Sequence, residues 1–367
     1  MKTIFRLGFM LVMVAMLVVA ALPATTARAQ GDMCFGLKAD DCSLANTPAD
    51  SAALSKLSSF EMDYTITLKA DTGDTAKNVD FKLTGKGPFS IDTTKMSGGA
   101  GDPAAAAGAL TMANVIQGSL TSEGKTQQGN FEFRIVNGDL YFMGDTATQG
   151  KWKKVNIAKA ISQIAQNPML GSMMSGMSGA GGLGGASSNP AMAALSDPEL
   201  IKALSELPNI PGVITAERKD DIKIGDETVA VFTYNLNILT LVKSKEFAPV
   251  LKAMLKSQSG GAEVDDKQVN QMIAMAQAFL KDFKFSITRY IGTADKLPHG
   301  IGLHLSLNLD AATASLVTNS SEAKPVSIDF NFDVKLDKIG EQVTVEPVSG
   351  AEEVDTGSMM GGTSSSQ

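Results

Sequence analysis

The chain has 367 residues with 32 basic and 39 acidic side chains, a formal net charge of −7. An acidic chain without basic clusters is a poor partner for nucleic acid or for an anionic lipid surface. Two cysteines and two histidines, His299 and His304, leave too few soft ligands for a structural metal framework.

Lys2 and Arg6 form a basic start, Leu7 to Leu22 is apolar, and Ala27-Arg28-Ala29 offers small residues at a cleavage position. This pattern predicts a secretory signal peptide over 1–29, with a mature chain from Gln30 that is periplasmic or extracellular. The rival reading, an uncleaved anchor, fits the small-residue site less well. Cleavage removes three cations, Lys2, Arg6 and Arg28, and takes the charge from −7 to −10. Gly31-Asp32-Met33 before Cys34 is not a lipidation signal. No later segment is apolar for long enough to span a bilayer. Outside the cytosol, Cys34 and Cys42 read as one local disulfide. The loop it closes is short and is expected to lie outside the main sheet, within an N-terminal segment over 30–58.

Long apolar/polar alternations then dominate. Met62, Tyr64, Ile66, Leu68 and Ala70 alternate with Glu61, Asp63, Thr65, Thr67 and Lys69 in a first strand over 59–70. Period two is the mark of a strand with one wet and one dry face. A second strand over 78–92 is interrupted by Gly85 and Gly87, which predict a bend or bulge. Gly98 to Gly108 reads as a small-residue loop and 110–122 as a third strand. Phe131, Phe133 and Ile135 define a fourth, and Asn137-Gly138 is a strong hairpin signal. It leads into Leu140-Tyr141-Phe142 and then Trp152, the only tryptophan, expected to pack under the hairpin. Ile157, Ile161, Ile164 and Ala165 recur at helical spacing.

Residues 167–190 are rich in Gly, Ser and Met and predict a flexible insertion, with a lid over an apolar pocket as the sharper alternative. A helical pattern over 190–207 follows. Strands are predicted at 213–224 and 227–237, and helices at 239–256 and 264–282. Three more strands are predicted at 283–292, 300–310 and 325–337. Ile301, Leu303, Leu305, Leu307 and Leu309 form one dry face, and Val326, Ile328, Phe330, Phe332, Val334 and Leu336 another. From Lys338 onward an acidic, then Gly/Ser-rich tail is expected to lack structure. The two halves share a loose hairpin–helix–hairpin plan without a residue-level repeat. The expected architecture is α+β: one domain over 59–337, a curved antiparallel half-barrel wrapped around a few helices.

Three local patterns carry a family resemblance. Gly138-Asp139-Leu140-Tyr141-Phe142 is followed by Gly150-Lys151-Trp152-Lys153-Lys154-Val155. Gly225-Asp226-Glu227-Thr228 leads to Phe232-Thr233-Tyr234-Asn235-Leu236, and Ile287-Thr288-Arg289-Tyr290-Ile291 leads to Leu297-Pro298. In order and spacing over about 55–340 the chain resembles the bacterial envelope lipid carriers of the LolA/LolB and LppX/LprG type. The resemblance implies a half-barrel with a lipid or acyl-chain cavity between sheet and helices. It implies a lipid, acyl-chain or lipoprotein cargo, an envelope lipoprotein or transporter as partner, and peripheral membrane contact. The chain departs from lipidated members in lacking their cysteine signal, and from the rest in its Gly/Ser/Met-rich insertion.

Catalytic chemistry finds no support. His304 falls on the polar side of its strand and His299 in a turn, both read as surface histidines, so no serine–histidine pair can be named. Asp329, Asn331, Asp333 and Asp337, with Asn308 and Asp310 as possible neighbours, lack the glycine and distal glutamate of a calcium loop and read as a solvated strand face. No phosphate-binding loop and no cofactor motif appear. The candidate ligand-binding residues are Ile66, Leu68, Phe81, Phe133, Phe142, Phe285, Leu305 and Phe330 on strands. Met254, Met272 and Met275 on helices would add an adaptable wall. The alternative is an envelope protein that uses the same scaffold for structure, sensing or protein contacts, its concave face sealed by its own helices.

Overall fold

A computed structural model of the chain describes residues 34–47, 51–74, 77–96, 103–145, 148–166, 210–258, 264–318 and 323–354. The expected signal peptide, the insertion at 167–190, the helical pattern at 190–207 and the end of the chain from 355 lie outside the described residues.

Two antiparallel meanders make one sheet. The first contains β1 (Ser59–Asp71), β2 (Val79–Ile91), β3 (Leu110–Ser122), β4 (Lys125–Val136), β5 (Asp139–Gly144) and β6 (Lys153–Asn156). The second contains β7 (Ile214–Ile224), β8 (Glu227–Leu236), β9 (Lys284–Gly292), β10 (Pro298–Leu309) and β11 (Val326–Asp337). They join where β1 pairs with β11, from Glu61 opposite Asp337 to Asp71 opposite Ser327. With β12 (Glu352–Glu353) parallel to β6, the order is β12-β6-β5-β4-β3-β2-β1-β11-β10-β9-β8-β7. The sheet is open and curved, an α+β half-barrel.

Local sequence explains the turns. Asn137 and Gly138 both take positive φ, 55° and 78°, as a two-residue hairpin of the mirror-image type requires. Glu123 and Gly124 do the same between β3 and β4, at 53° and 69°. The bend or bulge expected at Gly85 and Gly87 is absent: β2 pairs with β1 in unbroken register from Ser59 opposite Ser90 to Ala70 opposite Val79, and the glycines have another cause. A Cβ on Gly85 would fall 2.2 Å from Tyr64 Cζ, and one on Gly87 would fall 1.9 Å from the Ala113 carbonyl oxygen. The two glycines let a ring and a neighbouring backbone approach where side chains would stand.

Nine helices accompany the sheet among the described residues: α1 (Ala39–Asn46), α2 (Ser51–Lys56), α3 (Thr93–Met96), α4 (Pro103–Ala109), α5 (Ile157–Gln166), α6 (Ile238–Lys243), α7 (Phe247–Gln258), α8 (Asp266–Phe279) and α9 (Ala311–Thr318). The expected loop at 98–108 instead contains α4, in which Pro103 takes the first helical position ahead of four alanines. The single helix predicted over 239–256 is two. Pro249 has no N–H to continue the ladder from α6, so the chain breaks at Ser244 and restarts with the proline inside the first turn of α7. Asn237 caps α6 by accepting from the Thr240 N–H at 2.9 Å.

The main core lies between α6, α7 and α8 and strands β7 to β9. Phe232, Phe247, Leu241, Val213, Val242 and Val250 are its most enclosed members. The Cys34–Cys42 disulfide is formed. Its loop does not stand apart from the sheet as expected. Phe35, Leu37, Leu44 and Ala45 pack into this core, the Ala216 N–H donates to the Phe35 carbonyl at 2.7 Å, and the Phe35 ring meets Tyr234 edge-on. The free edge of β7 needed backbone partners, and the loop supplies one.

The tail expected from Lys338 is ordered as far as Val354. The Gly340 N–H donates to the Ser59 carbonyl at 2.9 Å, and Val343, Val345 and Val348 pack with Val136, Tyr141 and Trp152. Apolar residues at 343, 345 and 348 are what a segment needs to lie on a sheet rather than in water. Trp152 therefore anchors this outer layer, with the Arg134 guanidinium 5.1 Å from its ring.

Candidate functional site

Strand register sorts the alternating side chains onto two faces. One face is polar, with Asp63, Thr65 and Thr67 of β1 beside Lys335, Asp333 and Asn331 of β11. The other is mainly apolar from β7 to β5, with Arg218, Arg289 and Gln127 among its polar members and Lys153 at its β6 end. In one transverse row Phe285, Leu305, Phe330, Leu68, Phe81 and Leu120 stand side by side from β9 to β3. The adjacent row holds Ile287, Leu303, Phe332, Ile66 and Leu83. Phe133 and Phe142 oppose each other on β4 and β5, with the Phe131 ring 6.2 Å and 6.5 Å from theirs.

The structure brings all eight predicted strand residues onto this one face, but it does not use them alike. Phe285 is buried in the helix-covered core, and Leu303 and Leu305 pack against its margin. Ile66, Leu68, Phe81, Phe133, Phe142 and Phe330 are half-buried and belong to none of the packed clusters among the described residues. Ile301, Leu120 and Phe131 on the same face are 45%, 39% and 36% exposed. So α6 to α8 cover the apolar face over β7–β9, while over β11 and β1–β5 it remains unpacked by any described core. Of the helix residues, Met272 packs against the main core, Met275 is half-exposed and takes no part in it, and the Met254 side chain lies outside the described residues. Leu120, Phe131 and Ile301 are absent from the sequence-based set, although the period-two pattern of their own strands places them on the dry face.

Few polar groups interrupt this face. Arg218 lies over the Phe232 ring at 4.9 Å and faces Asp41 of the disulfide loop at 3.8 Å. Tyr234 is buried, which pushes its phenol up in pKa, with the Arg289 cation opposing. Tyr64 donates to Asn114 Oδ1 at 3.1 Å. Burial raises its phenol as well, so it stays neutral.

The ionisable chemistry lies elsewhere. Tyr290 donates to Asp333 at 2.5 Å on the polar face, and burial together with that carboxylate drives its pKa far above the usual phenol range. His304 meets Asp329 at 3.0 Å on that face, as its alternation predicts. His299 is not on the surface. An irregularity between Pro298 and Gly300 turns it inward, where its ring nitrogens sit 3.1 Å from the Leu336 carbonyl and 2.9 Å from Asp295. Among the described residues no three His, Cys, Asp or Glu side chains converge as a metal site, and no helix is long and apolar enough to cross a membrane.

No family model and no curated protein matches the sequence. Solved structures similar to it include the Mycobacterium tuberculosis lipoprotein LppX, at 10% identity and TM-score 0.25, covering 84% of this chain and 100% of that one. LprF from Mycobacterium bovis shares 11% identity at TM-score 0.26, covering 80% and 92%. A domain described as an outer membrane lipoprotein-sorting protein from Vibrio parahaemolyticus shares 8% at TM-score 0.13, covering 77% and 87%. At these scores the likeness is one of outline, and the function is read from the geometry of the face itself.

Proposed function

We propose that the protein is an exported, non-enzymatic binder of acyl-chain lipid, which takes its ligand on the apolar face over β11 and β1–β5. The observation that supports this most is the unequal cover of one continuous apolar face. Helices and the disulfide loop pack over β7–β9, whereas Phe330, Leu68, Phe81, Phe133 and Phe142 are only partly buried and, with the more exposed Leu120 and Phe131, join none of the described core clusters. Burying such surface against an acyl chain stabilises by roughly 25 cal/mol per Å². Export rests on the N-terminal sequence pattern. The delivery partner, an envelope lipoprotein or a transporter, belongs to this reading as its consequence.

The test is displacement of a fluorescent fatty acid from the purified protein, with circular dichroism as folding control. Phe81→Glu puts an unpaired charge on the apolar face and should abolish uptake. Lys82→Glu, on the next residue and the opposite face, should leave it intact. A wild-type protein that binds no apolar probe and yields no acyl chains on solvent extraction would leave the structural or sensing role in place of this one.

A further inference from the structure

Within the half of the apolar face that lies outside the described core clusters stands one polar side chain that its surroundings do not explain. Asn114 of β3 is 1% exposed. Its Oδ1 accepts from the Tyr64 hydroxyl at 3.1 Å, but its Nδ2 is fully enclosed and has no partner among the described residues. The Tyr64 ring reaches Asn114 by lying flat over Gly85, where any side chain would collide with it. Gly87, next on the same face, lets the β3 backbone at Ala113 and Asn114 come close. The residues around the pair on this face are apolar. Met62 and Ile66 flank Tyr64, Met112 and Ile116 flank Asn114, and Phe133 stands opposite Asn114 with Phe142 beyond it. An enclosed amide donor without an acceptor is costly, and most such groups are satisfied in folded proteins.

Resting on the acyl-lipid reading above, we infer that Asn114 Nδ2, held by Tyr64, is the hydrogen-bond donor for the acyl carbonyl oxygen of the bound lipid, an ester or an amide, which reaches it by displacing the apolar side chains that enclose it in the free protein. The chemistry selects that group. A hydrocarbon chain offers no acceptor. A free carboxylate brings a full charge to a place whose nearest cation in this row, Lys153, stands beyond Phe133 and Phe142 and is already paired with Glu352, and enclosing it there is unfavourable. A neutral carbonyl satisfies the donor and leaves the acyl chain on the phenylalanine rows. The pair thus fixes the depth at which the lipid sits and prefers acylated lipids to free fatty acid.

The experiment compares four fluorescent probes of equal chain length: a glycerol ester, an N-acyl amide, a free fatty acid and a carbonyl-free hydrocarbon. The wild-type protein should bind the ester or the amide most tightly, and the stronger of the two names the lipid class. Asn114→Leu should weaken that probe about tenfold, one neutral hydrogen bond, and leave the hydrocarbon unchanged. Equal loss for every probe would assign Asn114 to structure alone and overturn the inference, while the lipid reading survives. Binding of no probe by the wild type would overturn both. A second measurement needs no variant: with 13C at the probe carbonyl, the bound infrared band should move to lower frequency than in dry hydrocarbon. An unshifted band would overturn the inference even if Asn114→Leu fails to fold.

Discussion

Tyr64 and Gly85 illustrate how a single missing side chain shapes the sheet. The ring occupies the space a Cβ at position 85 would need, 2.2 Å from Cζ. Gly85→Ala must push the ring aside and break its bond to Asn114, at a cost of about 2 kcal/mol in urea unfolding. The same substitution in a Tyr64→Ala background should cost much less, because the two positions compete for one volume. Glu61 makes a second residue-scale case. It lies on the polar face within 3.0 Å of Lys86 and 2.7 Å of Lys338, which hold its carboxyl below the usual 4.5, Lys338 first. A carboxyl depressed in the folded state stabilises fully above its unfolded value and loses that contribution as pH falls through the folded one. Both lysines are more than half exposed, so Glu61→Gln should cost only about 0.5–1 kcal/mol at pH 7. In acid, below the folded value, wild type and variant should unfold at the same denaturant concentration. The sequence shows that glycines interrupt the alternation of β2, and that Glu61 belongs to the wet face. It does not show which ring fills the gap or which lysine arrives from beyond β11, since both depend on strand register.

At the scale of elements, the disulfide loop changes its meaning once seen against β7. Its span of eight residues suggests a minor local clasp. Because Phe35, Leu37, Leu44 and Ala45 enter the main core, the bond also holds a core segment in place. Replacing both cysteines by serine should lower stability by about 2–3 kcal/mol. Hydrogen exchange should rise first at Ala216, whose N–H bonds the loop. Unchanged exchange there would mean that packing alone keeps the loop docked. Strands were the most legible elements, because a period of two with one buried face leaves little freedom of assignment. Helices were less so. Four successive alanines between glycines resemble a loop in composition, and only the docking of α4 beside β3 decides for helix. The ordered segment after Lys338 was illegible for a similar reason: three spaced valines among acidic residues acquire meaning only when Val136, Tyr141 and Trp152 lie beneath them.

The whole molecule is two meanders sharing one face, and the candidate site divides along that boundary. The alternation in the sequence puts all eight strand residues on one face. It does not identify which half α6 to α8 cover. That depends on where α6 to α8 dock, and three apolar-rich helices can dock on either meander by composition alone. Asn114 escaped notice for the converse reason: one asparagine in a weakly patterned strand is unremarkable until its neighbours, Tyr64 apart, are known to be apolar.

The joining of β1 to β11 carries a kinetic consequence. Every other antiparallel pair links strands that follow one another in the chain, so each meander can zip from local turns. The seam between them unites residues 59–71 with 326–337 and must close most of the chain into a loop. Ordering so long a span before its contacts form is slow. In pulse-labelled refolding, amides that bond across this seam should therefore gain protection last, after those within β3–β5 and β8–β10. A proline at Thr67 should retard that final phase while leaving the earlier ones alone. Protection of the seam ahead of either meander would instead place the chain's nucleus at its most distant contact.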